Sequence, residues 1–425
     1  MSKTLVIILS ETRASELTFD NFKKNVIDPL NADLCLCIGV KPDYDYENPF
    51  YKLAKHRFIY NEPDDFGDAF DYAYEHLKPD THDILENVNT LYGKIHTPNT
   101  STDEYTYYGS TIPTDFTDDE IVIHSKDFKD PVFCDQIYGL KKSDNNTYVR
   151  EENVTTIKKP LHWREFLKIK NQFLGGIKDP IHQHGGSAGI LIFFRWFLLE
   201  NLYKSDVINQ YDRFIITRSD YIYRLPHPKM EIMDPDKIWI PDAEHYGGYT
   251  DRHVVLSRKH VTPYLNILNN FVQRSNEYFL KMKDILYSNF QLVEKKLENL
   301  SNGLFVQITE KYSCNAEEAN NIKNFILNKH SKRLFSDYAW NLEKLIKFHL
   351  EQNDVLHCVR DFPYVMYSVR NVQSSSRWAT GNYDERLGYC IKYQSEYDKS
   401  NDYLTHFEAS KLDIDAYYQS VISEK

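Results

Sequence analysis

The sequence contains few cysteines and no long apolar run. Its six cysteines, in 425 residues, are scattered without C-x-x-C spacing, so neither a zinc site nor a dense disulfide framework is indicated. The strongest apolar run, residues 188–202, is broken by Arg195 and Glu200. The apolar segment 5–9 is too short for a signal sequence or a membrane span. We therefore expect no transmembrane segment and a reducing, cytoplasmic location.

The chain also lacks a basic block and the common hydrolase and P-loop motifs. Its formal net charge of −11 argues against sequence-independent binding to a nucleic-acid backbone. Neither G-x-S-x-G nor G-x-x-x-x-G-K-[ST] occurs. Aromatic residues are abundant instead, with 32 Tyr and 24 Phe, which suits sugar and nucleobase surfaces, although a compositional bias explains the same excess. The expected partner is a small molecule or a glycan.

The first 40 residues predict an α/β fold. Residues 4–9 are continuously apolar, Phe19, Phe22, Val26 and Leu30 repeat at helical spacing, and residues 32–40 return to a strand pattern. A continuously apolar strand is buried on both faces, which predicts a mostly parallel, Rossmann-like sheet flanked by helices.

Ligands bind beyond the carboxyl ends of the strands in such sheets. The residues that follow the first strand are therefore expected at the ligand edge, namely Ser10, Glu11 and Arg13.

The rest of the chain divides into regions of different character. Residues 78–160 are rich in Asp, Thr, Asn, Tyr and Gly and predict a loop-rich insertion, with short strands at 121–124 and 132–138. A buried helix is predicted over 187–204, and a strand over 213–217. We expect a catalytic core at 1–260 and, at 261–425, a helical extension whose C-terminal strands pack on the core.

The tripeptide Arg218-Ser219-Asp220 follows the predicted strand 213–217. A carboxylate at a strand end can hold a divalent metal that neutralises a leaving nucleoside diphosphate. Arg218 lies on the same side of the chain as Asp220 and can reach a phosphate or a sugar hydroxyl. The alternative is that Asp220 only caps a helix or forms a turn.

Residues 187–223, with the apolar Phe-Phe-Arg-Trp-Phe helix followed by Tyr-Asp-Arg-Phe-Ile-Ile-Thr-Arg-Ser-Asp, resemble nucleotide-sugar glycosyltransferases of the GT-A type. More narrowly, they are similar to viral and bacterial proteins related to lipopolysaccharide-synthesis transferases of the WavE kind. The resemblance implies an Asp-x-Asp motif that binds the ribose and a Mn²⁺ or Mg²⁺ ion. This chain matches only its last position, Asp220, and has Arg218 at the first.

A second match lies about thirty residues on, in Ile-Trp-Ile-Pro at 238–241 and Gly-Gly-Tyr-Thr-Asp-Arg-His at 247–253. The resemblance implies that a catalytic base lies near this loop, so Asp251 is the first candidate and Asp242 and Glu244 are in reserve. Gly247 and Gly248 would let the loop approach the donor closely. The alternative is that Asp251 pairs structurally with its neighbour or caps a turn.

Histidines supply further candidates. His253 is a possible second metal ligand beside Asp220, and the His-Gln-His-Gly-Gly segment at 182–186 could orient a phosphate at the next helix. A complete ligand set is missing from that segment, so a loop and cap role is favoured, with His184 as the residue to test.

Together these features predict a metal-assisted, inverting transferase that moves a hexose or deoxyhexose from a nucleotide-diphosphate sugar to a glycan acceptor. Two alternatives remain at this stage. One is a catalytically silent glycan-binding or assembly protein that kept the fold. The other is a nucleotidyltransferase, which would need a second acidic metal ligand and a basic triphosphate loop that are not evident near the first strand.

Overall fold

A computed structural model describes most of the chain outside the long insertion and the middle of the C-terminal half. The described residues are 2–77, 105–107, 140–142, 148–150, 155–157, 163–168, 174–178, 186–242, 244–273, 341–371 and 381–423, with the single residues 278, 317 and 321. The predicted strands at 121–124 and 132–138, and both histidines of the 182–186 segment, lie outside this set.

The chain divides into two compact units, each built from separated segments. The first contains Met1–Phe70, Gly186–Leu268 and Asn341–Lys425, and the second contains Asp71–Gly185 and Asn269–Trp340. This division differs from the predicted boundary at residue 260. Residues 341–425 belong to the same unit as the N-terminal strands because their own strands pair with that unit's sheets.

The first unit is organised around one seven-stranded sheet. Its strands, together with one that belongs to a smaller sheet, are numbered here in chain order. They are β1 Thr4–Ser10, β2 Asp33–Val40, β3 His56–Asn61, β4 Arg213–Thr217, β5 Tyr221–Tyr223 (smaller sheet), β6 Ile238–Pro241, β7 Val254–Ser257 and β8 Val359–Phe362.

The strand order of the large sheet is β8-β6-β7-β4-β1-β2-β3. Strands β3, β2, β1 and β4 are mutually parallel, β7 is antiparallel to both of its neighbours, and β6 pairs in parallel with β8. The chain moves from β1 outward to β2 and β3, and then returns to β4 on the other side of β1. In open α/β sheets a ligand crevice forms at this reversal of strand order, beyond the carboxyl ends of the two strands.

Helices cover both faces of the sheet, as the continuously buried strands require. The helix α1 Ser15–Phe22 continues through a π-helical turn to Leu30, and its residues share a core with Val6 and Ile8. Cys37 points to the opposite face, where its thiol donates a 3.8 Å hydrogen bond to the carbonyl of Phe194. The other helices of this unit are α2 Pro49–Leu53, α3 Phe66–Leu77 (which runs into the second unit), α4 Ala188–Lys204, α5 Arg258–Leu265, α6 Ile267–Gln273 (also crossing the boundary), α7 Leu342–Gln352, α8 Gln394–Ser410 and α9 Ile414–Ser423.

A second, antiparallel sheet is built mainly by Asn341–Lys425, which we name the C-terminal segment. Its further strands are β9 Met366–Arg370, β10 Asn382–Asp384 and β11 Tyr389–Ile391, in the order β10-β11-β9-β5. Strand β9 pairs with β5, which follows the tripeptide after β4, and the amide of Val369 donates to the carbonyl of Asp220 at 2.9 Å. The C-terminal segment is thereby attached to the carboxyl edge of the large sheet.

The described part of the second unit consists mainly of short strands and a 3₁₀ helix. Tyr105–Tyr107 pairs antiparallel with Thr155–Ile157, and Leu140–Lys142 pairs antiparallel with Tyr148–Arg150. The 3₁₀ helix Trp163–Lys168 is anchored by Trp163, whose indole N–H donates to Asp71 at 2.8 Å.

The α/β class predicted from sequence is confirmed as a mostly parallel mixed sheet flanked by helices, and strand 213–217 and the long helix before it occur where they were predicted. Thr262-Pro263 has the sequence pattern of a helix cap followed by a first helical residue, but the next helix does not start there. The helix begins at Arg258, directly after β7, and Pro263 lies inside it. Within the residues described, no helix combines the length and apolarity that crossing a bilayer requires.

A buried ion pair joins the C-terminal segment to the loop before β7. The guanidinium of Arg252, 6% exposed, donates to the carboxylate of Glu396 at 3.2 Å, and Glu396 is fully buried. Glu396 also accepts from the amide and hydroxyl of Ser368, at 2.9 and 2.7 Å. Removal of one partner from such a pair leaves the other charge buried without compensation.

Glu396→Gln keeps the shape of the side chain but removes its charge, so we expect the free energy of unfolding to fall by about 3 kcal/mol. The matched control is Glu385→Gln, the same substitution at an exposed position of this segment, which should change stability by less than about 0.5 kcal/mol. Urea denaturation measures both variants. Equal effects would show that the buried pair does not hold the segment in place.

Candidate functional site

The carboxyl ends of β1 and β4 meet at the point where the strand order reverses. Ser219, 1% exposed, accepts a 2.7 Å hydrogen bond from the amide of Arg13, and its hydroxyl lies 3.2 Å from the carbonyls of Glu11 and Arg13. Ser10, the last residue of β1, has a positive φ of 76° that turns the chain toward this contact. The structure therefore places the two groups of predicted donor-binding residues at one edge.

Asp220 is held by two arginines. It is 1% exposed, and its carboxylate accepts two hydrogen bonds from Arg218, both 2.8 Å long, and a third from Arg370. Arg370, the last residue of β9, is 2% exposed. Burial alone would raise the pKa of Asp220, but the charges of Arg218 and Arg370 outweigh burial and hold it well below its usual range. Asp220 is consequently ionised at all physiological pH values.

A third cation, Lys392, lies beside this pair of arginines. Burial, together with the charges of Arg218 and Arg370, lowers the pKa of Lys392 to about 6. Its ammonium group lies 5.0 Å from the ring centroid of Tyr393. We name Arg218, Arg370 and Lys392 the basic cluster. The charge of Arg13 also acts on Arg370, so the loop after β1 contributes to the same field.

The residues around Asp220 fit a resident metal ion poorly. Three guanidinium hydrogen bonds occupy a carboxylate that offers about four acceptor sites. A divalent cation would also have to approach the charges of the basic cluster. Within the described ranges, no group of three or more His, Cys, Asp or Glu side chains could hold a metal. The surroundings of Asp220 therefore do not fit the expected Mn²⁺ or Mg²⁺ ion.

His253, the other predicted metal ligand, lies in the apolar core. It is fully buried, its Nδ1 lies 3.0 Å from the hydroxyl of Thr217, and its ring packs 4.6 Å from that of Phe362 and 5.6 Å from that of His227. Burial, and then the proximity of His227, lower the pKa of His253 well below its usual value. The contacts are those of a neutral core histidine.

The glycine-containing loop packs against the start of α7. Gly247 has φ +86°, and a Cβ atom on Gly248 would lie 1.9 Å from the backbone oxygen of Glu343, so no larger residue fits there. The amide of Tyr249 donates to the same oxygen at 3.0 Å. The close approach predicted for these glycines is thus made to a helix of the same unit.

Asp242 and Glu244 are both engaged at the outer part of this loop. Asp242 is exposed and pairs with Lys399 at 3.5 Å. Glu244, with φ 55°, accepts hydrogen bonds from the hydroxyls of Tyr246 and Ser395. These partners hold both reserve carboxylates on the outside of the loop.

The charge of Asp251 acts on Glu343, and we name these two residues the carboxyl pair. The backbone carbonyl of Asp251 is fixed by a 3.2 Å hydrogen bond from the buried Arg195, and its side chain is partly exposed. Burial, followed by the negative charge of Asp251, raises the pKa of Glu343 to about 7. The charge of Asp251 also acts on Arg218. Glu343, a carboxyl group with a pKa near neutrality, therefore interacts with Asp251, and the charge of Asp251 in turn reaches the basic cluster.

Three residues of this site were not singled out in the sequence: Glu343, Arg370 and Lys392. Glu343 follows a helix N-cap, Arg370 ends a strand, and Lys392 follows one, which are ordinary positions for these residue types. Only Arg370 carried a local signal, as a charged residue that ends an otherwise apolar strand.

Comparison of the chain with protein-family models, curated proteins and solved structures gave no match.

The buried histidines predict a loss of stability in acid. Burial lowers the pKa of His227 to about 4 from an ordinary 6.5. The unfolded chain thus binds a proton below pH 6.5 that the native state binds only near pH 4. The contribution of His227 is fully present above pH 6.5 and declines by about 1.4 kcal/mol per pH unit as the pH falls toward 4.

His227→Phe should flatten the pH dependence of the free energy of unfolding between pH 4 and 6.5, whatever its effect on absolute stability. His357→Phe, the same change at an exposed histidine, should leave the slope unaltered. Urea denaturation at several pH values in this window measures both slopes. Equal slopes in the two variants would contradict a neutral buried His227.

Proposed function

We propose that the protein is a glycosyltransferase with a GT-A type core that transfers a hexose or deoxyhexose from a nucleotide-diphosphate sugar to a glycan acceptor. The observation that carries the proposal is that the charge of Asp251 acts both on Glu343 and on Arg218 of the basic cluster. An inverting transfer needs a base for the acceptor hydroxyl and positive charge for the leaving diphosphate. This edge of the sheet offers both.

Asp251 is the proposed general base. It removes the proton of the acceptor hydroxyl as that oxygen forms its bond to the anomeric carbon, and the proton remains on the carboxyl pair. The bond from the anomeric carbon to the diphosphate oxygen breaks, and its electron pair leaves with the diphosphate. Glu343 is a positioning residue that shares the proton with Asp251, since two neighbouring carboxyl groups do not ionise independently.

The donor is proposed to lie across the ends of β1 and β4. The resemblance to GT-A enzymes and the reversal of strand order at β1 both support this position. The nucleoside part would face the loop after β1, near Glu11 and Arg13, and the sugar would face the Asp251 loop. The free thiols among the described residues, at Cys35, Cys37, Cys358 and Cys390, support a cytoplasmic location.

A second candidate function is a catalytically silent glycan-binding protein. It is favoured by one observation, namely that both arginines of the site pair with Asp220, as in a purely structural ion-pair network. A silent protein would bind nucleotide or glycan and release no product. A screen for slow hydrolysis of nucleotide sugars, with UDP-, GDP- and dTDP-linked hexoses, distinguishes the two functions because hydrolysis needs no knowledge of the acceptor.

Asp251→Asn should reduce turnover of the nucleotide sugar that is hydrolysed or transferred by about 10²- to 10⁴-fold, the usual contribution of a general base. The comparison variant is Asp242→Asn, whose carboxylate is exposed and paired with Lys399, and which should keep its rate. The measurement is initial rate at saturating donor. Full activity of Asp251→Asn would rule out Asp251 as the base. If Asp242→Asn lost activity while Asp251→Asn kept it, the role of base would belong to Asp242.

Glu343→Gln should change the pH profile of the reaction. In the wild type, Glu343 holds a proton below its pKa of about 7, so kcat/KM should rise as the pH increases through this value. Glu343→Gln removes this titrating group, so the rising limb near pH 7 should be lost. The KM at high pH controls for misfolding, because it should change little. An unshifted limb would remove Glu343 from the proposed mechanism.

A further inference from the structure

We propose that the basic cluster binds the diphosphate of the donor directly, so that Arg218, Arg370 and Lys392 take the place that a divalent metal would occupy. This inference rests on the proposed function, since it concerns how the same donor is held. It assigns a binding role to two residues of the C-terminal segment, Arg370 and Lys392.

The first support is the unused hydrogen-bonding capacity of Arg370. One of its terminal nitrogens donates to Asp220 and to the carbonyl of Val369. Its Nε and its other terminal nitrogen are buried and have no acceptor among the residues that the structure describes. A buried guanidinium without acceptors is costly, and a phosphate oxygen is the acceptor that its planar, forked donors match best.

The second support is the isolation of Lys392. Its ammonium has no hydrogen-bond acceptor among the described residues, and the charged side chains nearest to it include Arg218, Arg370 and Arg252 as well as Asp220. Desolvation and like charges together disfavour its protonated form, which is the direction of its lowered pKa. A bound anion would reverse both effects by supplying a counter-charge.

The third support is the balance of charge. The basic cluster has three cationic side chains around one carboxylate, Asp220, while the neighbouring Arg252 is already neutralised by Glu396. Two positive charges are left uncompensated when Lys392 is protonated, which matches the two negative charges of the diphosphate in a nucleotide sugar. Arg218 retains 21% of its side-chain exposure, so the cluster can be reached from solvent.

The test is isothermal titration of the full chain with UDP, GDP, dTDP and inorganic pyrophosphate, each in EDTA and again with Mn²⁺. UMP serves as a comparison ligand because it lacks the second phosphate. We expect at least one diphosphate to bind as tightly in EDTA as with Mn²⁺, and more tightly than UMP.

Lys392→Met is the variant that separates binding from folding. It should weaken diphosphate binding about tenfold or more, the usual effect of losing one charge-assisted hydrogen bond to phosphate. Below pH 6, where Lys392 is protonated, it should also raise the Tm of the ligand-free protein, because it removes a positive charge from a positive environment. The matched control is Lys347→Met, the same change at an exposed position of α7, which should alter neither quantity.

Arg370→Lys is a second variant, in which the charge remains and the forked donors are lost. It should weaken binding while keeping the Asp220 ion pair, and circular dichroism verifies that it folds.

The outcomes distinguish this inference from the function on which it rests. Metal-independent binding that is lost in Lys392→Met supports the direct role of the cluster. Binding that requires Mn²⁺, or that survives unchanged in Lys392→Met, overturns the inference and leaves the transferase proposal intact. Absence of diphosphate binding under both conditions overturns both.

Discussion

The neutralisation of Asp220 by Arg218 and Arg370 is the interaction on which the organisation of the site depends. A carboxylate that is 1% exposed is tolerated only with close positive partners, so the acid and both arginines must come together as the chain folds. Arg218 and Asp220 follow the central strand β4, whereas Arg370 ends β9 in the C-terminal segment. The C-terminal segment is therefore needed to complete the edge that β1 and β4 form.

Charge is divided within this edge in a way that suits group transfer. Positive charge is concentrated in the basic cluster, and negative charge is concentrated in the pair of Asp251 and Glu343. The two regions interact electrostatically, because the charge of Asp251 acts on Arg218 of the basic cluster. The close approach of Gly248 to the backbone of Glu343 keeps the loop and the helix of the carboxyl pair in register.

Sequence patterns were sufficient for the part of the fold whose signals are local. Continuous apolar runs identified β1, β2 and β4, because burial on both faces of a parallel sheet leaves a recognisable pattern. Helical spacing identified α1, and an apolar character on all sides identified the buried helix α4. The helices α8 and α9 were missed, since their tyrosines and serines produce only a weak amphipathic pattern. The tripeptide Arg218-Ser219-Asp220 was predicted at the ligand edge, and the structure brings it against the loop after β1.

The amino-acid sequence by itself determined the α/β class, the central strands and which polar residues follow them. Only the tertiary structure decided what those residues contact. Arg370 reaches Asp220 across 150 positions of the chain, and the charge of Asp251 acts on Glu343 because the loop of Gly248 packs on a distant helix. Such pairings depend on strand order and register, which bring separate segments together, and no local periodicity records them.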